Sequence, residues 1–110
     1  RAKHAFEKAK RAGDKEKFAS YAKKLPMMIK TNGLGASMAF VFPKKDWNDI
    51  YDAVEDWIQK KNYISEGSRG RFVEDIVNMD STRYRIVTNE VLAYLTWLRR
   101  FAEGFKPEKG

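Results

Sequence analysis

A chain of 110 residues that is 43% hydrophobic, 14% aromatic and 34% charged is long enough for one hydrophobic core, too apolar for a disordered tail and too charged for a membrane span. It holds no cysteine, which excludes a disulfide framework, a thiol nucleophile and any cysteine-ligated metal site. The formal net charge of +7 is unevenly spread: the first 45 residues carry 12 Lys or Arg against 3 Asp or Glu, and the remaining 65 carry 10 against 12. Such an excess of cations belongs on the surface and points to a polyanionic partner for the N-terminal half, with plain solubility as the competing explanation.

Ala2, Ala5, Phe6, Ala9 and Ala12 recur at helical spacing and predict a short first helix with a small-residue face. Gly13 closes it, and Asp14 is placed to cap a second helix whose apolar face is Phe18, Tyr21, Ala22, Leu25, Met28 and Ile29. Pro26 falls inside that register, so a kink or a restart is expected there. The run Thr31-Asn32-Gly33-Leu34-Gly35 then ends the helix, an Asn-Gly hairpin being the rival reading.

Leu34 to Phe42 is apolar almost all round and reads as a buried helix, or less well as a buried strand, ended by Pro43. From Asp46 onward, Trp47, Ile50, Tyr51, Val54, Trp57 and Ile58 share one helix face, while Asp46, Asp49, Asp52 and Asp56 line the other. Lys60-Lys61-Asn62 ends this helix, and Ser65 to Gly70 makes a flexible polar connection. Phe72, Val73, Ile76 and Val77 mark a short helix. After Asp80 or Ser81 as cap, apolar or aromatic residues at 84, 91, 98 and 105 and at 87, 94 and 101 predict one helix of about 35 Å. Ile86, Ala93 and Trp97 are expected to widen its buried face. The sum is an all-α fold: a single compact bundle of five or six helices over residues 1–110, with a long C-terminal helix and a frayed tail at 106–110.

No catalytic pattern emerges. The sole histidine, His4, sits in the first turn with no nucleophile or acid at a motif spacing. Asp49, Asp52, Glu55 and Asp56 read as a solvated helix face before they read as a magnesium site. Gly33-Leu34-Gly35 lacks the following Lys-Ser or Lys-Thr of a nucleotide loop. The tryptophans sit at core spacing, whereas Tyr63 and Tyr84, beside polar loops, are expected to be exposed. Arg99 and Arg100 on the long helix are candidate phosphate forks, with Glu103 as an alternative local partner.

Two stretches are specific together: Lys24-Leu25-Pro26-Met27-Met28-Ile29-Lys30-Thr31-Asn32-Gly33-Leu34-Gly35 through Met38-Ala39-Phe40, and Tyr84-Arg85-Ile86-Val87-Thr88 through Ala93-Tyr94-Leu95-Thr96-Trp97-Leu98-Arg99-Arg100-Phe101-Ala102-Glu103. In order, spacing and length the chain resembles the small α-helical subunit of the type III-B CRISPR effector, the Cmr complex. The resemblance implies a non-catalytic subunit of an antiviral ribonucleoprotein, present in several copies along an inner filament. Its implied partners are guide RNA and target RNA, the backbone and large subunits, and neighbouring copies of itself.

Within that frame Lys15, Lys17, Lys23, Lys24, Lys30, Arg69 and Arg71 are the candidate RNA contacts, read by charge and shape rather than by base sequence. Asp49, Asp52 and Asp56 are the candidate protein-interaction face, docking on the basic half of the next copy. A scaffold without RNA contact and an unrelated small DNA-binding regulator are the alternatives. No metal, cofactor or membrane is expected, and the expected compartment is the cytoplasm.

Overall fold

In the computed structural model, residues 1–107 are described, and they form six α-helices and one 3-10 turn. Helix α1 (Ala2–Arg11) buries Ala5 and Ala9 and stops at Ala12. Helix α2 (Lys15–Asn32) starts where the Asp14 carboxylate accepts a hydrogen bond from the Lys17 amide, the cap that its sequence position requires. It does not restart at Pro26, which lies inside one continuous helix.

Gly33 then turns the chain. Its φ of 88° lies in the region that favours glycine, and its amide closes α2 on the Ile29 carbonyl. Helix α3 (Leu34–Val41) follows at once, so the Asn-Gly pair makes a helix corner and no hairpin. The amide of Gly35 donates to the Tyr84 hydroxyl at 2.9 Å, which ties this corner to the start of the last helix. Tyr84 and Tyr63, expected at the surface, are instead half-buried against the core.

The turn Lys45–Trp47 leads into α4 (Asn48–Lys60), whose buried face holds Ile50, Tyr51, Val54 and Ile58. The connection to α5 (Arg71–Ile76) is firmly held, contrary to the flexible link expected from its composition. Glu55, only 5% exposed, accepts from the Gly70 and Phe72 amides and from the Tyr51 hydroxyl, and Asp75 accepts from both the amide and the hydroxyl of Ser65. Gly70 has a φ of 103°, and a Cβ there would stand 2.9 Å from the Phe42 ring.

Helix α6 (Ser81–Phe105) is capped by Asp80, which accepts from the Arg83 amide, and its 25 residues make it the longest of the described helices. Val87, Val91, Tyr94, Leu95, Leu98 and Ala102 form its buried stripe against α1, α2 and α4. Ile86 does not widen that stripe as expected and is 48% exposed, one helical position off the seam. At the tail, Lys106 donates its amide to Glu103 and pairs with the same residue's carboxylate at 3.6 Å, while residues 108–110 lie outside the described residues.

Candidate nucleic-acid interface

The seven basic candidates separate by what surrounds them. Lys15 turns back to the C-terminal end of α1, where its ammonium donates to the carbonyls of Lys10 and Ala12 at 2.6 and 2.7 Å. The carbonyls at this helix end and the negative end of the helix dipole favour a cation there, which makes Lys15 a cap. Arg69 is similarly engaged: it donates to Asp52 at 2.6 Å and to Asn48 at 2.9 Å, and its guanidinium covers the rings of Phe42 and Tyr51. Arg71 pairs with Glu74 at 3.5 Å and Lys17 with Asp46 at 3.4 Å. Lys24 stands over the Tyr21 ring.

Lys23 and Lys30 differ from these. Both are exposed, and neither has an ion-pair partner among the described residues. They stand seven residues apart on α2, so they project from the same side about 10 Å apart along the axis. Opposite them, α6 supplies Arg99 and Arg100, and the four cations line one groove of about 670 Å³ with Pro26 and Leu92 among its walls. Glu103 is the one acid of this lining, and its carboxylate already contacts Lys106. The pairing of Arg99 and Arg100 with Glu103 that the sequence offered is therefore not formed; Arg100 instead lies over the Trp97 ring.

The groove is a product of helix packing. Its two arginines come from a helix that begins about fifty residues after α2 ends, and the α2–α6 seam joins them. The sequence marked Arg99 and Arg100 as phosphate forks but did not place them beside Lys23 and Lys30. The signal that would have joined them is the apolar register on both helices. Leu25 and Ile29 are buried on α2, Leu95 and Leu98 on α6, and each cation stands one or two positions from that seam.

The acidic residues of α4 have partners within the chain. Asp49 accepts from the Gly13 amide at 3.0 Å and Asp52 from Arg69. Asp56 turns inward to Nε2 of His4 at 2.6 Å, with the Lys8 and Lys60 ammonium groups at 3.7 and 3.6 Å. On the other side of the imidazole, Nδ1 lies 2.6 Å from the Tyr94 hydroxyl. A carboxylate can only accept, so Nε2 carries the proton and Nδ1 accepts from Tyr94.

Burial lowers the His4 pKa below its usual value, and the Asp56 hydrogen bond opposes this without cancelling it. Burial would raise Asp56, but the His4 hydrogen bond and the charges of Lys8 and Lys60 hold it below the usual carboxylate range. Burial pushes Tyr94 up, so its hydroxyl stays protonated. Tyr94 is 0% exposed, and His4, with 9% of its side chain exposed, is held between Tyr94 and Asp56, so this chain of hydrogen bonds joins α1, α4 and α6. Glu90 completes this interior, accepting from Arg1 at 2.7 Å and from the Trp57 indole at 3.0 Å, and the Arg1 hydrogen bond depresses its pKa.

No cluster of three potential metal ligands occurs among the described residues, and none of their helices is long and apolar enough to cross a membrane. Fold and groove together define a small all-helical subunit that presents cations along one packed seam. The chain belongs to the Cas_Cmr5 family of CRISPR-associated proteins, whose family model matches residues 1–105. It is thereby a small subunit of the type III-B CRISPR Cmr complex. No solved structure matches it.

Proposed function

We propose that this subunit is a non-catalytic, RNA-contacting member of the Cmr ribonucleoprotein, in which several copies lie along an inner filament beside the backbone and large subunits. The α2–α6 groove is the surface it turns toward the target RNA strand and the guide–target duplex. One observation carries this reading: Lys23, Lys30, Arg99 and Arg100 converge on one groove, and none of them has an ion-pair partner among the described residues. Uncompensated cations repel one another, and phosphates relieve that repulsion while releasing counterions.

The spacing suits a polymer better than a small anion. Lys23 and Lys30 are about 10 Å apart along α2, farther than neighbouring phosphates of one strand, so the pair spans more than one phosphate of a polymer. Arginine forks add bidentate hydrogen bonds to phosphate oxygens, and none of these groups reads a base edge. Binding is accordingly indifferent to sequence, which is what a subunit must do when base pairing with the guide supplies recognition.

Lys17, Lys24 and Arg71 remain proposed secondary contacts at the flanks, since their partners are exposed or aromatic and yield readily to phosphate. Lys15 and Arg69 have structural duties that compete with RNA contact. The test is charge reversal in the reconstituted Cmr complex: Lys23→Glu with Arg99→Glu should weaken target RNA capture at least tenfold, by introducing like charge against phosphate. Capture unchanged in a complex that still incorporates the variant would refute the groove as the RNA surface.

A further inference from the structure

A second groove lies at the corner where α2 meets α3. Met28, Asn32, Ala36, Ser37 and Phe40 line a space of about 520 Å³ there. Phe40 is 55% exposed, whereas Ser37 is 1% exposed and its hydroxyl has no hydrogen-bond partner among the described residues. Unpaired buried hydroxyls are unfavourable, so this groove lining leaves a polar group unsatisfied. The rim is cationic: Lys24 stands one turn before Met28, and the Lys44 ammonium lies 4.4 Å from the Phe40 ring centroid. From Lys17 through Lys45 the chain has no acidic residue at all.

The matching occupant is an apolar side chain that brings a hydrogen-bonding group and carboxylates with it. The chain itself carries such an element. Val77, directly after α5, is 75% exposed, the most exposed of the large hydrophobic residues. Glu74 and Asp80 stand three residues to either side, the exposed Asn78 follows it with an amide that donates once to the Glu74 carbonyl at 3.3 Å and has a further N–H and its oxygen to offer, and no Lys or Arg lies between Arg71 and Arg83. The Glu74 carboxylate is 68% exposed, and its contact with Arg71 is a 3.5 Å surface pair that is easily exchanged.

We propose that Val77 of one copy seats in the α2–α3 groove of the next, with Glu74 facing the lysines of the rim. This rests on the filament reading and deepens it by naming the two surfaces that meet. Repeated in one direction along the filament, this contact is heterologous and leaves a free groove and a free knob for the next copy. A nucleobase is the poorer occupant: Lys44 covers one face of Phe40, and the rest of the lining offers thioether, methyl, hydroxyl and amide groups with no second aromatic platform.

Because the chain contains no cysteine, the contact can be trapped with Phe40→Cys and Val77→Cys introduced together. Both positions are exposed, so the fold tolerates the changes. Oxidation of the reconstituted Cmr complex should give a ladder of joined small subunits on a non-reducing gel, absent from either single variant. Adding Lys44→Glu should abolish the ladder, and adding Glu74→Lys to that variant should restore it. If no ladder forms while a lysine-reactive crosslinker still joins neighbouring copies, the filament stands and these surfaces are wrong. If neither reagent joins copies, the filament reading fails and this contact with it. Photochemical attachment of RNA at Phe40 in the assembled complex would also overturn the proposal.

Discussion

The acidic side of α4 and the cations of the α2–α6 groove are both rows of like charge on helices, yet their surroundings differ. Asp49 holds the Gly13 amide, Asp52 holds Arg69, Asp56 holds His4, and Glu55 is buried around three donors. Lys23, Lys30 and Arg99 have no ion-pair partner among the described residues, and Arg100 has a ring. A charge with partners inside the chain holds the fold, whereas a charge without them is available to another molecule. The acidic face proposed from sequence for docking thus has internal work at all three named positions.

Glu55 gives the largest expected break of this contrast from its partnered side. Glu55→Ala removes the acceptor of two backbone amides and of the Tyr51 hydroxyl, in a site only 5% exposed. Leaving buried donors unsatisfied should cost on the order of 3 kcal/mol, measured by urea unfolding. A loss below about 1 kcal/mol would mean that water replaces the carboxylate and that this end of α4 is not the anchor of the 65–70 segment.

The groove should respond in the opposite sense. Lys23→Ala with Arg99→Ala should change stability by less than about 0.5 kcal/mol, as surface substitutions away from partners do. The same pair should make the salt dependence of target RNA binding shallower by about 1.4 in log–log slope, if each cation neutralises one phosphate of a single strand. Equilibrium binding by the reconstituted complex across a salt series measures it. An unchanged slope would place these two cations off the RNA.

A pH titration sharpens the partnered side further. The folded pKa of His4 is lowered, so below the ordinary value of 6.5 the unfolded chain takes up a proton that the native imidazole resists. Stability is therefore fully present above that pH and falls as the pH drops through it. Glu90 and Asp56, also lowered, add a second loss below their ordinary values of 4.5 and 3.8. His4→Gln should remove the first phase and keep the second. A wild-type curve flat between pH 7 and pH 5 would show that the Asp56 hydrogen bond offsets the burial of the ring.

The fold was legible because it rests on local rules. Asp14 and Asp80 cap helices as their positions demand, Gly33 turns the corner, and the heptad rows of α6 bury their stripe. What escaped the sequence is long-range pairing. Periodicity placed His4 near a helix end, but the Asp56 and Tyr94 that enclose it are 52 and 90 residues away. Composition marked Ser65 to Gly70 as loose, yet a carboxylate on another helix holds its last residue. The candidate cations were chosen by density along α2, and density does not tell Lys23, which faces the α6 seam, from Lys15, which folds back on α1. Only the packing of α2 on α6 adds Arg99 and Arg100.

Lys17 tests the contrast where it is weakest. Its ammonium meets Asp46 at 3.4 Å, but the two side chains are 51% and 61% exposed, so solvent screens the pair. A double-mutant cycle of Lys17→Ala with Asp46→Ala should give a coupling below about 0.5 kcal/mol, against a loss of about 1 kcal/mol for Lys15→Ala, whose ammonium satisfies carbonyls at the end of α1. Such a weak pair lets Lys17 exchange a carboxylate for a phosphate at almost no cost. A coupling well above that value would instead fix Lys17 in the fold with Lys15, and leave Lys23 and Lys30 as the RNA-facing cations of α2.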